Sequence, residues 1–200
     1  MELTIDILRH GEAEGGVCYR GRQDDPLSSL GFKQMRAVVP ALVPWDRIIS
    51  SPLQRCQAFA NELAQAKGLP LELDSAWQEI YFGDWEGLTA DEIQAQDPLA
   101  LQRYYDDPVL NTPPGAESLL NFQARISQAW QALIRDAGDE SLLLVCHGGV
   151  LRILLQQVMQ FPQSALFRLQ VPHACLSRIR VERYDGEIHP SVVFHAGALK

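Results

Sequence analysis

Cysteine is scarce in this chain of 200 residues, and the four cysteines are widely scattered: Cys18, Cys56, Cys146 and Cys175. Their spacing fits neither a close metal-ligand set nor the dense framework of a small disulfide-bonded domain. We therefore expect reduced thiols in a reducing compartment, the cytoplasm.

Long apolar runs are also missing. No stretch approaches the roughly 20 consecutive apolar residues that a membrane-spanning helix needs. The first residues, Met1 to Leu8, carry Glu2 and Asp6 and lack the basic and apolar regions of a secretory signal. We therefore expect that the protein is not exported and does not bind a membrane.

Positive charge is in deficit, because 17 lysines and arginines face 25 aspartates and glutamates, for a formal net charge of -8. This balance argues against broad electrostatic capture of nucleic acid, which needs a basic face. A small anion can still be bound where the few positive charges gather. The candidates near the start of the sequence are Arg9, His10, Arg20 and Arg22.

The order of secondary-structure patterns predicts the fold of one compact domain, residues 1–200. Apolar stretches predict strands at 3–8, 47–50, 69–73, 141–146, 176–184 and 191–195. Helical spacing predicts helices from Ser28 to before Pro44, from Ser51 to about 67, near 89–96, from Ser118 onward, and over 150–160. Strands alternating with helices predict an α/β three-layer sandwich, with a mostly parallel sheet and helices on both faces.

Two details of the helix starts are specific enough to test. Ser51 and Pro52 are suited to the N-cap and the first helical position of the second helix. The sequence His147-Gly148-Gly149 predicts a tight turn before the last helix.

Residues 74–117 form a stretch with little long periodicity, and we expect this covering segment to lie over the site and to recognise the leaving group. Trp77, Tyr81 and Trp85 are candidates to stack on an aromatic ring there. Aromatic residues in such a segment form its own small core at least as often, so both interpretations stay open.

Polar residues follow three of the predicted strands. Arg9 and His10 come after the first, the run from Ser51 to Arg55 after the second, and His147 with Gly148 after 141–146. In open α/β sheets, ligands gather outside the carboxyl ends of the strands. The sequence therefore predicts that these residues share one site.

The residue types at this edge suit a phosphoryl group. Guanidinium groups match phosphate oxygens bidentately, and histidine is an accepted covalent nucleophile. Arg9 and Arg55 would disfavour the imidazolium form of His10 and keep its ring able to attack. Arg9, Arg55 and His147 would then stabilise the charge of the transferring group, and Glu79 is our candidate general acid.

Several motifs, taken in order, resemble those of the histidine phosphatase superfamily, also called the phosphoglycerate mutase-like family, over nearly the whole chain. They are Leu8-Arg9-His10-Gly11-Glu12, Gly21 with Asp25-Pro26-Leu27-Ser28 and Gly31, Ser50-Ser51-Pro52-Leu53-Gln54-Arg55, the run from Glu79 to Gly87, and Val145-Cys146-His147-Gly148-Gly149.

The resemblance implies a phosphoglycerate mutase-like fold and a phosphohistidine on His10, with Glu79 as the acid and later the base. It implies phosphate binding by Arg9, Arg55 and His147, to which we add Gly148, Arg20 and Arg22. It implies no cofactor and no metal, and a small phosphorylated metabolite as the partner of a monomer or homodimer.

One departure concerns the loop after His10. The family often has Ser or Thr at position 13 and Asn near position 16, where this chain has Ala13 and Gly16. A phosphate contact from this loop is therefore in question, with Arg20 or Arg22 as the candidate replacements.

The resemblance leaves rival functions open. A phosphoglycerate mutase would share the chemistry but usually carries a longer insertion after the segment with the acid, so a phosphatase is favoured, either specific or of broad specificity. A metal hydrolase built on His10, His147 and Glu79 is disfavoured because the neighbouring arginines repel a cation. An inactive binding module ranks low because every expected catalytic residue is present.

Overall fold

The computed structural model describes residues 2–40, 42 and 44–198. Its strands are β1 (Glu2–Arg9), β2 (Arg47–Ser50), β3 (Leu71–Leu73), β4 (Ser141–Cys146), β5 (Leu176–Tyr184) and β6 (Glu187–Phe194). They form one six-stranded sheet in the order β3-β2-β4-β1-β5-β6. The four strands β1 to β4 pair in parallel, whereas β5 and β6 are antiparallel to their neighbours. The predicted α/β class with a mostly parallel sheet is confirmed.

Helices cover both faces of the sheet, as expected for a three-layer sandwich. The α-helices are α1 (Ser29–Val38), α2 (Gln54–Lys67), α3 (Ala90–Gln96), α4 (Ala100–Asp106), α5 (Leu119–Asp136) and α6 (Gly148–Met159). Short 3-10 turns lie at Ser75–Trp77, Gly83–Trp85 and Gln163–Arg168. One apolar core packs α5 and α6 on the sheet, and a second packs α1 and α2 on its other face.

Strand β4 shows how the sequence produces two cores. From Leu142 to Cys146 its residues are apolar without interruption, and successive side chains of a strand point to opposite faces. Leu142 and Leu144 belong to the core under α5 and α6, whereas Leu143 and Val145 belong to the core under α1 and α2. The central strand is thus held from both sides, which fixes the position of its carboxyl end.

A buried ion pair links the central strands. Asp6 on β1 is fully buried, and its carboxylate accepts two hydrogen bonds from Arg178 on β5, of 2.8 and 2.9 Å. The indole N–H of Trp45 donates a third, of 2.7 Å. Three donors around one carboxylate compensate for its removal from water.

Two predicted helix starts are wrong. Helix α2 begins at Gln54 with Leu53 as the N-cap, so Ser51 and Pro52 precede it. The Ser51 hydroxyl instead accepts from the backbone N–H of Leu53, at 3.3 Å, within the preceding turn. Gly148 and Gly149 are not a turn but the first residues of α6, with His147 as the N-cap.

The first helix also differs from its predicted pattern. It ends at Val38, ahead of the expected stop before Pro44, and the side chains of Leu30 and Leu42 are exposed. Met35 is the fully buried side chain of this helix. The predicted start at Ser28 is confirmed, because Ser28 is the N-cap and its hydroxyl accepts from the N–H of Gly31 at 2.9 Å.

The covering segment contains more structure than its sequence suggested. The predicted helix near 89–96 is present as α3, with Thr89 as N-cap in a capping box with Glu92. Helix α4 was not predicted. Both helices pack on a small core of their own: Trp85, Ile93, Leu101 and Tyr104.

The four cysteines are free thiols, and three of them are buried. No helix within the described ranges has both the length and the apolar character needed to cross a membrane.

Candidate active site

His10 lies directly after β1, where the backbone turns away from the sheet. Its Nδ1–H donates to the Gly11 carbonyl at 2.7 Å, which leaves Nε2 as the ring's acceptor. The Nε–H of Arg55 donates to that atom at 3.3 Å. Burial, followed by the charges of Arg55 and Arg9, holds the pKa of His10 well below its usual value. The ring is therefore a neutral base with its lone pair toward the guanidinium, as the sequence predicted.

Arg55 reaches this position from the first turn of α2 and is 1% exposed. Its Nη1 donates to the carbonyl of Gln23 at 2.8 Å, and its Nη2 donates to the carbonyl of Gly21. The loop after His10 thus fixes the guanidinium plane through two backbone acceptors. These carbonyls carry no full charge, so most of the positive charge of Arg55 remains available to an anion.

Arg9, the last residue of β1, lies on the other side of the site. Its Nη1 donates to the carbonyl of Val171, and its Nε is buried without a hydrogen-bond partner among the described residues. An ideal Cβ built on Gly148 would lie 3.4 Å from that Nε. A buried guanidinium N–H beside the start of a helix is a donor that an anion can satisfy.

His147 lies next to His10 but deeper. The two ring centroids are 5.2 Å apart, at an interplanar angle of 63°. His147 is fully buried, and its Nε2 is hydrogen-bonded to the hydroxyl of Ser51 at 2.8 Å. Burial, then Arg55 and His10, hold its pKa well below the usual value. Ser51 belongs to the run that was predicted to share the site, but it orients His147 rather than capping a helix.

Glu79 comes from the covering segment and meets the start of α6. One carboxylate oxygen accepts from the N–H of Gly149 at 2.8 Å, and the other accepts from the N–H of Ile80 at 3.0 Å. The carboxyl group is oriented by two backbone donors at the wall of the site.

A cavity of about 830 Å³ opens above these groups, within the size range of small-molecule sites. Its charged and titratable lining residues include four arginines and two carboxylates: Arg9, His10, Glu12, Cys18, Tyr19, Arg20, Arg55, Glu79, Arg152 and His173. In a chain of net charge -8, this cavity gathers positive charge locally. Gly148 also lines it, whereas His147 lies behind the wall.

Of the two loop arginines, the structure brings only Arg20 to the cavity. Arg20 donates to Asp25 at 2.6 Å and to the carbonyls of Glu14 and Gly16, both at 2.8 Å. It therefore braces the loop that departs from the family pattern. Arg22 does not line the cavity, because its guanidinium pairs with Glu117 at 3.1 Å.

The aromatic residues chosen from the sequence do not line the cavity. Trp77 is 2% exposed in the core under α5 and α6, Trp85 lies in the small core of the covering segment, and Tyr81 is at the surface beside Arg22. Tyr19 and Phe82 line the cavity instead.

Arg152 and His173 also line the cavity, although the sequence had assigned neither a role in the site. Arg152 lies one helical turn after Gly148, on the same face of α6, so the i, i+4 spacing was a signal that could have located it. Its Nε donates to the carbonyl of Leu169 at 3.2 Å. His173 follows Pro172 in a loop without a motif, and its ring centroid is 5.9 Å from that of His10.

The surroundings of the two histidines bear on metal binding. In the part of the chain that the structure describes, no three or more His, Cys, Asp or Glu side chains cluster as a metal site. The positive charges of Arg55 and Arg9 lower the pKa of both His10 and His147.

Comparison with known proteins gives a consistent family. Residues 5–191 match the family model described as histidine phosphatase superfamily (branch 1). An adenosylcobalamin/alpha-ribazole phosphatase of Salmonella typhimurium is 27% identical over 183 residues, 90% of this chain and 91% of that protein. A glucosyl-3-phosphoglycerate phosphatase of Mycobacterium tuberculosis is 33% identical over 170 residues, 78% of this chain and 75% of that protein.

A solved structure described as mycobacterial hydrolase 1 superimposes with a TM-score of 0.84 at 26% identity, covering 98% of this chain and 99% of that chain. The agreement extends over the sheet, both helical layers and the covering segment.

Proposed function

Because the chain belongs to the histidine phosphatase superfamily, we propose that it is a phosphomonoesterase that acts through a phosphohistidine on His10 and needs no metal. The observation that carries the proposal is the state of His10. Its Nδ1–H is held by the Gly11 carbonyl, and its Nε2 lone pair points to the Arg55 guanidinium at the floor of the cavity.

In the first step a substrate phosphate displaces the Arg55 N–H from Nε2. At 3.3 Å that hydrogen bond is long, and the guanidinium gains a phosphate oxygen in exchange. The N–P bond then forms as the bond from phosphorus to the leaving oxygen breaks.

The charge on the equatorial oxygens is met by donors that are already in place. These are Arg55, the unpartnered Nε of Arg9 and the backbone at Gly148. We assign His147 to this group as well, with a phosphate oxygen replacing Ser51 as the partner of its Nε2. Because these groups are preorganised, little reorganisation is needed during transfer.

Glu79 carries out both proton transfers of the reaction. In its acid form it gives a proton to the leaving oxygen, and as a carboxylate it then takes a proton from the attacking water. The water oxygen bonds to phosphorus, the N–P bond breaks, and His10 returns to its neutral form with Nδ1 protonated.

For the substrate we propose α-ribazole 5'-phosphate or its cobamide conjugate, which places the protein in cobalamin biosynthesis. Two observations support it. The chain overlaps almost completely with the Salmonella phosphatase. The runs from Phe82 to Glu86 and from His147 to Arg152 resemble those of α-ribazole phosphatases. The second candidate is glucosyl-3-phosphoglycerate, supported by the higher identity, 33%, over a shorter overlap.

The test is phosphate release in EDTA from a panel: α-ribazole 5'-phosphate, glucosyl-3-phosphoglycerate, 3-phosphoglycerate, fructose 2,6-bisphosphate and an aryl phosphate. We expect the highest kcat/KM for α-ribazole 5'-phosphate and no loss of rate on chelation. Preference for another member of the panel would refute the substrate, and a rate abolished by EDTA would refute the metal-free chemistry.

A further inference from the structure

A second, apolar space adjoins the phosphate cavity at Glu79. This side chamber has a volume of about 80 Å³ and shares Glu79, Phe82 and Arg152 with the main cavity. Deeper inside, its walls are mostly apolar and aromatic: Ile80, Tyr104, Leu119, Phe122, Ile153, Leu166 and Phe167. The chamber therefore changes from charged at its mouth to apolar at its base.

Three aromatic rings form one side of the chamber. The Tyr104 ring centroid is 5.6 Å from that of Phe167 and 6.2 Å from that of Phe82. Both distances fall in the range of favourable aromatic pairs. A hydrogen bond of 2.7 Å between the hydroxyls of Tyr19 and Tyr105 joins the loop after His10 to α4 next to these rings. This bond ties α4, which carries Tyr104, to the loop after His10.

Tyr104 has one unused polar group in this environment. Its side chain is 4% exposed, and no described residue forms a hydrogen bond with its hydroxyl. Burial raises the pKa of Tyr104, so the hydroxyl keeps its proton. The hydroxyl is not among the fully buried polar atoms that lack a partner, so it remains accessible to water or to a ligand in the chamber that Tyr104 lines. A ligand atom that accepts a hydrogen bond would supply the hydroxyl with a partner.

We propose that the side chamber binds a planar, uncharged heteroaromatic ring of the leaving group, with a ring acceptor atom facing the Tyr104 hydroxyl. The chamber is smaller than the cavity of about 150 Å³ that holds benzene in an engineered protein. It therefore takes the edge of a fused ring between Phe82 and Phe167, while the remainder of the ring stays in the main cavity.

This inference rests on the proposed function in one respect, that the leaving oxygen lies beside Glu79. Since Glu79 is also at the mouth of the chamber, we place the ribose attached to that oxygen in the main cavity and its base in the chamber. A glucosyl group at the depth of the chamber would bury several hydroxyls against Ile153 and Leu166 without partners, which is unfavourable. The chamber therefore favours a leaving group with a ring such as the base of α-ribazole over a glucosyl group.

The experiment compares two pairs of substrates that differ only by a ring. They are α-ribazole 5'-phosphate against ribose 5-phosphate, and benzyl phosphate against ethyl phosphate. The variants are Phe167→Ala, which removes an aromatic wall, and Tyr104→Phe, which removes only the hydroxyl. Tyr81→Phe is the matched control, because Tyr81 belongs to the same segment and lines neither space.

We expect Phe167→Ala to lower kcat/KM about 10-fold for both ring-bearing substrates and to change it less than about 2-fold for their ringless partners. Tyr104→Phe should lower kcat/KM about 5-fold for α-ribazole 5'-phosphate only, because benzyl phosphate has no ring acceptor. Turnover of the ringless substrates also reports that each variant is folded.

Equal losses on ring-bearing and ringless substrates, or no loss on either, would overturn the chamber proposal. If the native protein does not hydrolyse α-ribazole 5'-phosphate but Phe167→Ala still lowers the benzyl-to-ethyl ratio, the substrate assignment fails and the chamber stands. The two proposals are therefore separable in one data set.

Discussion

The carboxylate of Glu79 accepts a hydrogen bond of 2.8 Å from the backbone N–H of Gly149, in the first turn of α6. This bond joins the covering segment to the helix that follows the central strand β4. An ideal Cβ on Gly149 would lie 2.2 Å from Oε1 of Glu79, so the close approach requires glycine. The position of the proposed acid therefore depends on a residue with no side chain.

Gly149→Ala is expected to displace Glu79 and lower kcat by about 100-fold on alkyl phosphates, in line with the usual contribution of a positioned acid. The loss should be smaller on an aryl phosphate with a good leaving group, which needs less protonation. Steady-state kinetics on both substrate types measures this difference. Gly138→Ala is the control, because a Cβ there meets nothing within 4 Å. Equal losses on both substrate types would indicate general damage to the site.

The two buried histidines make stability depend on pH in a defined direction. The folded pKa values of His10 and His147 lie well below their ordinary value of 6.5. Below pH 6.5 the unfolded chain therefore binds more protons than the folded protein, and stability rises with pH. The stability that depends on these two neutral histidines is fully present above pH 6.5 and is lost as the pH falls toward their folded pKa values.

Urea unfolding between pH 8 and pH 5 checks this dependence. Below pH 6.5, each histidine should lower the free energy of unfolding by up to about 1.4 kcal/mol per pH unit. His10→Asn should show a shallower pH dependence, because one of the two groups is removed. An unchanged slope in that variant would contradict the assignment.

The buried ion pair of Asp6 and Arg178 is expected to matter for folding rather than catalysis. Arg178→Ala leaves a fully buried carboxylate without its charged partner and should cost about 3–5 kcal/mol. Arg180→Ala is the control on the same strand. Its pair with Glu2, at 3.2 Å, is partly exposed, so its loss should cost no more than about 1 kcal/mol. Similar losses in both variants, measured by urea unfolding, would refute the special role of Asp6.

The sequence predicts those parts of the site that depend on strands. The continuous apolar run at β4 and the shorter one at β1 identify central strands, and residues that follow such strands must meet at one edge of a parallel sheet. Arg9, His10 and His147 were located in this way. Arg55 was located because the α2 pattern begins shortly after β2, even though its capping residue was misassigned.

The sequence does not predict contacts between loops that are far apart along the chain. Arg22 lies only two residues beyond Arg20, yet Glu117 holds it outside the cavity, and Glu117 lies 95 residues away along the chain. Tyr104 and Phe167 come from two segments without shared periodicity. Their contact depends on how the covering segment packs, which no local propensity specifies.

The most direct test of the account is to trap the phosphoenzyme during turnover and locate the phosphate by mass spectrometry. We predict an acid-labile phosphate on His10, absent in His10→Asn, together with a loss of at least about 10⁴-fold in kcat for that variant. Phosphate on another residue, or near-normal turnover in His10→Asn, would contradict the phosphohistidine mechanism.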